Sequence, residues 1–390
     1  MTPSLRNLAI LLFYAAALLL PLPTLAAAVN NPRPIPIAEG LQRIKLPPGF
    51  VIDIFADDIK GARSMALSPN GILYVGTFTE WGQKPSCNVY ALRDKDGDGH
   101  ADDVRIIARD LNLPNGVAWH GGDLYVAEVS RILRFHDLDR HLDDPPAFEQ
   151  IGAAFPGEFH HGWKFIRFSP DGMLYVPVGA PCNTCEPDDQ HGGIWRMRPD
   201  GSGREVFARG IRNSVGFDWH PVTGELWFTD NGRDDMGDDI PPDELNRAPK
   251  AGLHFGYPYR YGKALVDPAF KTTRPEQDFT PAALEIPAHR GSLGIRFYIG
   301  KQFPAHYFQQ IFIAHHGSWN RAQPDGYRVS VALLKDNDVV SYEDFATGWL
   351  EGDHYWGRPV DVEVAPDGSL LVSDDFAGVI YRIRYTGKPR

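Results

Sequence analysis

The sequence predicts an all-β chain folded as a six-bladed propeller, and three observations carry that prediction. A Pro- or Gly-bearing turn followed by an aromatic and β-branched strand recurs six times, as SPNGILYV ending at Val75, HGGDLYVA at Ala127, SPDGMLYV at Val176, HPVTGELWF at Phe228, FPAHYFQQIFIA at Ala314 and APDGSLLV at Val372. The first four copies stand about 50 residues apart, a period that suits a blade of several short strands. No sustained 3.6-residue periodicity competes with it in the mature chain. An ordinary β-sandwich with repeated turns is the alternative, and near-constant spacing favours the propeller.

In chain order, residues 1–28 read as a secretory signal, with Arg6 ahead of an apolar run from Leu8 to Leu20 and small residues at Ala26, Ala27 and Ala28. Residues 29–45 read as an N-terminal extension and residues 46–390 as the propeller. No other uninterrupted apolar stretch approaches the roughly 18 residues a spanning helix needs. The mature chain is therefore expected in the periplasm or outside the cell, without a membrane span. Later strands of the blades begin near Asn88, Ser130, Gly192 and Gly378. The interval between the fourth and fifth copies is longer by about 35 residues, which predicts an insertion over one face, about residues 235–289, after the fourth inner strand. A formal charge of −11 with no Lys/Arg-rich run excludes nucleic acid as a partner. Three cysteines make no disulfide framework; Cys182 and Cys185 suit a local loop staple, leaving Cys87 alone. Glu186 stands where haem attachment to that CxxC needs His.

Ligands of propellers sit where inner strands converge, so polar residues beside those strands are the functional candidates. The chain is organised around residues 210–258, where an Arg212-Asn213 pair leads into an apolar strand and then an acidic loop, residues 230–246. That loop offers Asp230, Asn231, Asp234, Asp235, Asp238, Asp239, Asp243 and Glu244, oxygen ligands of the kind calcium takes. A second acidic loop has Asp94, Asp96 and Asp98 at alternate positions and Asp102 at the ninth, but Arg105 instead of Glu at the twelfth, a partial match to a calcium loop. His161 directly precedes an expected strand at residues 164–168. A histidine there suits removal of an alcohol proton, because its pKa lies near neutrality. The pairs His160-His161 and His315-His316 lack the spacing of a compact zinc motif. Arg212, Arg321 beside Asn320, and Arg358 flank successive repeats; converging arginines make a pocket for a polycarboxylate. There is no GxGxxG after a strand, no GxxxxGK[ST] and no GxSxG, which removes support for nucleotide cofactors and a nucleophile-elbow hydrolase.

The stretches beginning HGWKF at His161, GIRNS at Gly210, GLHFGYP at Gly252, HHGSWNR at His315 and GRPVD at Gly357 together resemble the glucose/sorbosone dehydrogenases. The likeness spans roughly residues 46–385 and is loosest before Leu113. Members of that family are exported six-bladed propellers that use pyrroloquinoline quinone (PQQ) and calcium. The resemblance implies that His161 is the catalytic base and that Arg212 and Asn213 lie beside the cofactor. It implies that Gly232 and Arg233 hold calcium through backbone carbonyls, supported by Asp243 and Glu244. Arg358 and Asn115 fall near family cofactor contacts, and Arg321 joins them as a converging arginine. The implied activity is oxidation of an aldose or an aldehyde sugar such as sorbosone, with electrons passing to a separate cytochrome or quinone. Gly162-Trp163-Lys164 after the histidine, and HHGSWNR where the best-known members carry a lysine, depart from the pattern and leave the substrate open. Two other functions remain: a calcium-dependent lactonase using Asn115, Asn213 and Asp374, and a non-catalytic binding propeller.

Overall fold

Six blades, each with four antiparallel strands and one of them extended by a fifth, make up the ring in the computed structural model, which describes residues 31–78 and 88–387. The expected signal at residues 1–28 and Cys87 lie outside the described residues. Blade 1 runs Ala62–Leu67, Leu73–Thr77, Val89–Arg93 and Asp103–Ala108; blade 2 runs Gly116–His120, Asp123–Ala127, Ile132–Phe135 and Glu149–Ile151. Blade 3 comprises Arg167–Phe168, Leu174–Val178, Gly193–Met197 and Glu205–Arg209, and blade 4 Phe217–Trp219, Leu226–Asp230, Asp243–Ala248 and Leu284–Ile286. Blade 5 comprises Ser292–Phe297, Ile311–His315, Arg328–Lys335 and Asp338–Ala346. Blade 6 takes Pro359–Val364, Leu370–Asp374 and Val379–Tyr385 from the end of the chain and its fourth strand, Phe50–Ala56, from the beginning, registered Phe50↔Tyr385 through Ala56↔Ile380. That last pairing closes the ring by joining the two ends of the chain in one blade.

The recurring sequence motif is the first hairpin of each blade, and its apolar strand is the second strand, not the innermost. Every residue of Leu73–Thr77, Asp123–Ala127, Leu174–Val178, Leu226–Asp230, Ile311–His315 and Leu370–Asp374 is buried. A strand covered on both faces by neighbouring blades reads as a continuous apolar run, which is why these six were legible. The inner strands vary in length from two to six residues and are more polar. Of the strand expected at residues 164–168, only Arg167–Phe168 joins a ladder. Inner strands also approach closely: a methyl group on Gly216 would lie 2.2 Å from the Leu293 carbonyl of the next blade.

The predicted insertion is placed differently by the structure. Leu226–Asp230 is the second strand of its blade, and the acidic run that follows it ends at Pro242, because Asp243–Ala248 pairs along its length with Leu226–Asp230. Residues 243–246, read as loop from their charge, are a buried strand. The extra length comes after this third strand, in residues 249–283. There Leu253–His254 adds in parallel to the fourth strand of blade 3, and a hairpin joins Arg260–Tyr261 to Leu265–Val266. Since that blade 3 strand leads toward the end where the chain enters blade 4, the insertion climbs to the same end.

Residues 31–45 pack on the ring. The helix Ile37–Arg43 lies with Gly40 against the Trp356 ring, and Pro32 and Lys45 form bridges to Tyr355 and Thr347. Among the described residues no helix is long and apolar enough to cross a membrane.

Phe50, 3% exposed, holds the closing strand by packing on Phe303, Tyr307 and Phe345 with ring centroids 4.7, 5.7 and 5.1 Å away. Phe50→Ala should lower unfolding free energy by about 3–5 kcal/mol in a urea titration. A loss under about 1 kcal/mol would mean that ring closure does not depend on this contact.

Candidate functional site

In an antiparallel blade the second-to-third connections share one end with the links between blades. At that end the loops surround a cavity of about 550 Å³ whose lining includes His161, Arg212, Asn213, Gly232, Asp243 and Arg358. These six expected site residues, spread over residues 161–358, are thus brought to one place. Arg63, Phe78, Trp163, Asp234, His289, His316, Trp319 and Asn320 complete much of the wall.

His161 stands in the left-handed region at φ 52° and is 8% exposed. Its Nδ1 lies 2.8 Å from the Ala180 carbonyl oxygen. A carbonyl can only accept, so Nδ1 carries the hydrogen and Nε2 keeps its lone pair. Burial pushes the pKa well below the usual 6.5, reinforced by the positive charge of Arg212 and by His160. The ring is therefore a neutral base at physiological pH. A methyl group on Gly179 would come 2.6 Å from His161 Cβ, so the second strand of blade 3 ends in the one residue that leaves room for it.

Arg212 and Asn213 are fixed from below by Asp230, whose two carboxylate oxygens accept their backbone N–H groups at 2.8 and 2.6 Å. The Arg212 guanidinium donates to the Asn183 carbonyl at 3.0 Å, Asn183 Oδ1 at 2.8 Å, the Asn231 carbonyl at 3.2 Å and Asp234 Oδ2 at 3.3 Å. Asn183 is carried on the loop that the Cys182–Cys185 disulfide closes, the staple expected from the sequence.

Across the cavity a second charged group centres on Asp375, which the sequence reading passed over. Its carboxylate takes Arg63 Nη1 at 2.8 Å and His316 Nε2 at 2.8 and 2.9 Å. Burial acts to raise its pKa, but His316, Arg63 and Arg358 outweigh burial and hold it well below the carboxylate range. Arg358 is brought down to about 10, chiefly by burial, and so stays charged at neutral pH. Two buried arginines thus act on one carboxylate, Arg63 by a direct bond and Arg358 through its charge. Asp375 was findable: LLVSD ends the second strand of blade 6 as LWFTD ends that of blade 4, so both motifs deliver a carboxylate to the same end, and Asp375 is the next residue. Arg63 had no such signal, since it opens the inner strand of blade 1, where the resemblance is loosest.

Four expected residues sit elsewhere. Arg321 does not line the cavity; it ties loops together by donating to the carbonyls of Asp238, Ala288 and Gln323. Asn115, fully buried, lies behind the wall, accepting from Arg63 Nε at 2.7 Å and donating to the Lys164 carbonyl at 2.9 Å. The Arg233 side chain turns to Asp267 at 2.8 Å. Asp374, a possible lactonase ligand, caps the backbone of Phe376 and Ala377 and receives the Tyr381 hydroxyl.

Asp230, Asp243 and Glu244 are all pushed above the usual carboxylate range, first by burial, with mutual repulsion adding to Asp230 and Glu244. Asp243 accepts from Gly232 N–H at 3.1 Å and from Ser292 N–H and Oγ at 3.1 and 3.2 Å. A small void next to the main cavity is bounded by Arg212, Asp230, Asn231, Gly232 and Glu244. Among the described residues, the one group of three acidic or metal-ligating side chains with ligand atoms within 4.8 Å of one another is Asp94, Asp96 and Asp102, on a third-to-fourth strand connection at the opposite end. Three buried polar atoms facing this region find no partner among the described residues: His160 Nε2, Trp163 Nε1 and Asn320 Oδ1. All three residues line the main cavity. Leaving such atoms dry and unpaired costs about 1–3 kcal/mol each, so the cavity is built to receive polar groups.

A family model described as "Domain of unknown function (DUF7133)" matches residues 36–385. A protein of Borreliella burgdorferi, described only as uncharacterized, is 33% identical over 358 residues, covering 88% of this chain and 91% of that one. Among solved structures, the calcium structure of Trichoderma reesei Carbohydrate-Active Enzymes Family AA12 matches with a TM-score of 0.74 at 18% identity, covering 93% of this chain and 99% of that one. The holo form of the pyranose dehydrogenase PQQ domain from Coprinopsis cinerea matches with a TM-score of 0.71 at 18% identity, covering 87% and 97%. At this identity the likeness shows the shared propeller fold.

A buried neutral histidine links stability to pH. The folded pKa of His161 lies below the roughly 6.5 of an unfolded histidine, so its contribution is complete above that value and is lost as pH falls toward the folded pKa. Between about pH 7.5 and about pH 5, His161→Gln should lose less Tm than the wild type. An identical pH slope for both proteins would show that His161 is not held neutral.

Proposed function

The chain belongs to the DUF7133 family, and we propose that it is a PQQ- and calcium-dependent dehydrogenase that oxidises an aldose or an aldehyde sugar such as sorbosone. One observation carries this reading: a buried, neutral His161 with a free Nε2 opens into the same cavity as two buried arginines, Arg358 and the Asp375-bonded Arg63. The structural relatives add weight, one named for its PQQ domain and another for calcium.

The donor set suits the cofactor. PQQ carries three carboxylates; Arg63 and Arg358 place two guanidinium groups in the cavity wall, and His160 and Trp163 offer ring nitrogens that lack a partner among the described residues. Bound PQQ would supply an ortho-quinone that accepts hydride, and calcium would supply a Lewis acid at the quinone oxygen. Calcium would be held by backbone carbonyls of Gly232 and Arg233. Asp243 would fix Gly232 through its N–H, and the buried carboxylates of Asp230 and Glu244 would ionise beside the cation. At the substrate, His161 Nε2 would take the hydroxyl proton of the carbon to be oxidised. Ala180 keeps the ring in that tautomer and stabilises the imidazolium that forms. Phe78, Trp163 and Trp319 present aromatic faces to the cavity, against which a sugar ring packs. We place the mature protein in the periplasm or outside the cell, and electrons leave to a separate cytochrome or quinone.

The test is reconstitution of purified protein with PQQ and calcium, followed by dye reduction on a panel of aldoses, sorbosone and lactones. His161→Ala should reduce turnover by about 10²-fold or more with PQQ binding retained. Arg212→Ala should instead weaken PQQ binding. Hydrolysis of lactones with calcium alone, in a protein that binds no PQQ, would overturn the reading.

A further inference from the structure

Residues 179–192 connect the second and third strands of blade 3 with no ladder of their own. Within them Cys182 and Cys185 close a short loop, and Asn183 is the residue this loop presents to the site. Its carbonyl accepts from Arg212 Nε at 3.0 Å and from the Tyr257 hydroxyl at 3.3 Å. Its Oδ1 accepts from Arg212 Nη2 at 2.8 Å and from the Asp234 N–H at 2.9 Å, while Nδ2 donates to Asp235 at 3.0 Å. Two of the three guanidinium nitrogens of Arg212 therefore point at Asn183, closer than the one carboxylate, Asp234 at 3.3 Å. Tyr257 also receives the Cys185 N–H at 3.1 Å, so the insertion after the third strand of blade 4 grips the loop from outside.

None of these bonds is set by sheet register; each depends on where an irregular loop places one asparagine. A disulfide across the loop removes conformations that would withdraw it. We propose that Asn183, held by the Cys182–Cys185 disulfide, is a positioning residue for Arg212 and Asp234, and that the cavity takes its ligand-binding form only when this disulfide is closed. The identity of the ligand rests on the PQQ reading; the positioning of Arg212 and Asp234 does not. A further consequence is that site assembly is tied to passage through an oxidising compartment, the setting in which such bonds persist.

The experiment compares wild type, Asn183→Ala, the double variant Cys182→Ser/Cys185→Ser, and Thr184→Ala, a neighbour in the same loop. Two quantities are read at a temperature well below every Tm: PQQ affinity in calcium, and hydrogen exchange of the Asp234 amide in the cofactor-free protein. Asn183→Ala and the double serine variant should each lose about tenfold or more in affinity and exchange faster at Asp234, while Thr184→Ala changes neither. A purely stabilising disulfide would lower Tm in the double variant and leave affinity and exchange at wild-type values, which overturns the proposal. If the wild type binds no PQQ, the dehydrogenase reading fails, and exchange at Asp234 still decides the role of Asn183.

Discussion

Closure of the ring by Phe50–Ala56 against Val379–Tyr385 is the constraint on which everything at the cavity depends. The site is assembled from loops of blades separated by as much as residues 63 to 375, and none of those loops contains a motif complete in itself. Only a closed ring brings their ends together around an axis. The same closure covers each second strand on both faces, so burial of apolar surface stabilises the fold where it also fixes the geometry of the site.

Dryness then governs the chemistry. Burial makes His161 a neutral base and raises Asp230, Asp243 and Glu244, while Asp375 stays ionised because cations surround it. The cavity end thus holds two opposite electrostatic environments. On one side stand carboxylates raised by burial, and on the other a cluster of cations around Asp375. A cation beside the first and an anionic ligand beside the second would satisfy both at once, which is the physical logic of pairing calcium with a polycarboxylate cofactor.

Much of the fold was legible because second strands in a propeller are buried on both faces and therefore spell apolar runs at a fixed interval. Inner strands were less legible: Phe217–Trp219 and Arg167–Phe168 are short and carry polar residues toward the axis. Asp243 and Glu244 read as loop because charge ordinarily marks solvent exposure, yet they are 1% and 4% exposed and pair with Ile286 and Asp230 across the ladders. At the site, His161, Arg212 and Asn213 were identified by type and position beside strands. Arg321 had the same signature and instead clamps loops, since sequence position beside a strand does not say which way a side chain turns. Arg63 and Asn183 were invisible because their importance lies in partners more than 25 residues away.

The central claim is that this cavity holds PQQ together with calcium, and a calorimetric titration of the calcium-loaded protein with PQQ tests it most directly. The account predicts saturable binding of one PQQ per chain that disappears when calcium is chelated and is weakened by Arg63→Ala. Absence of binding in a folded, calcium-loaded protein, or binding that ignores both calcium and Arg63, would contradict it.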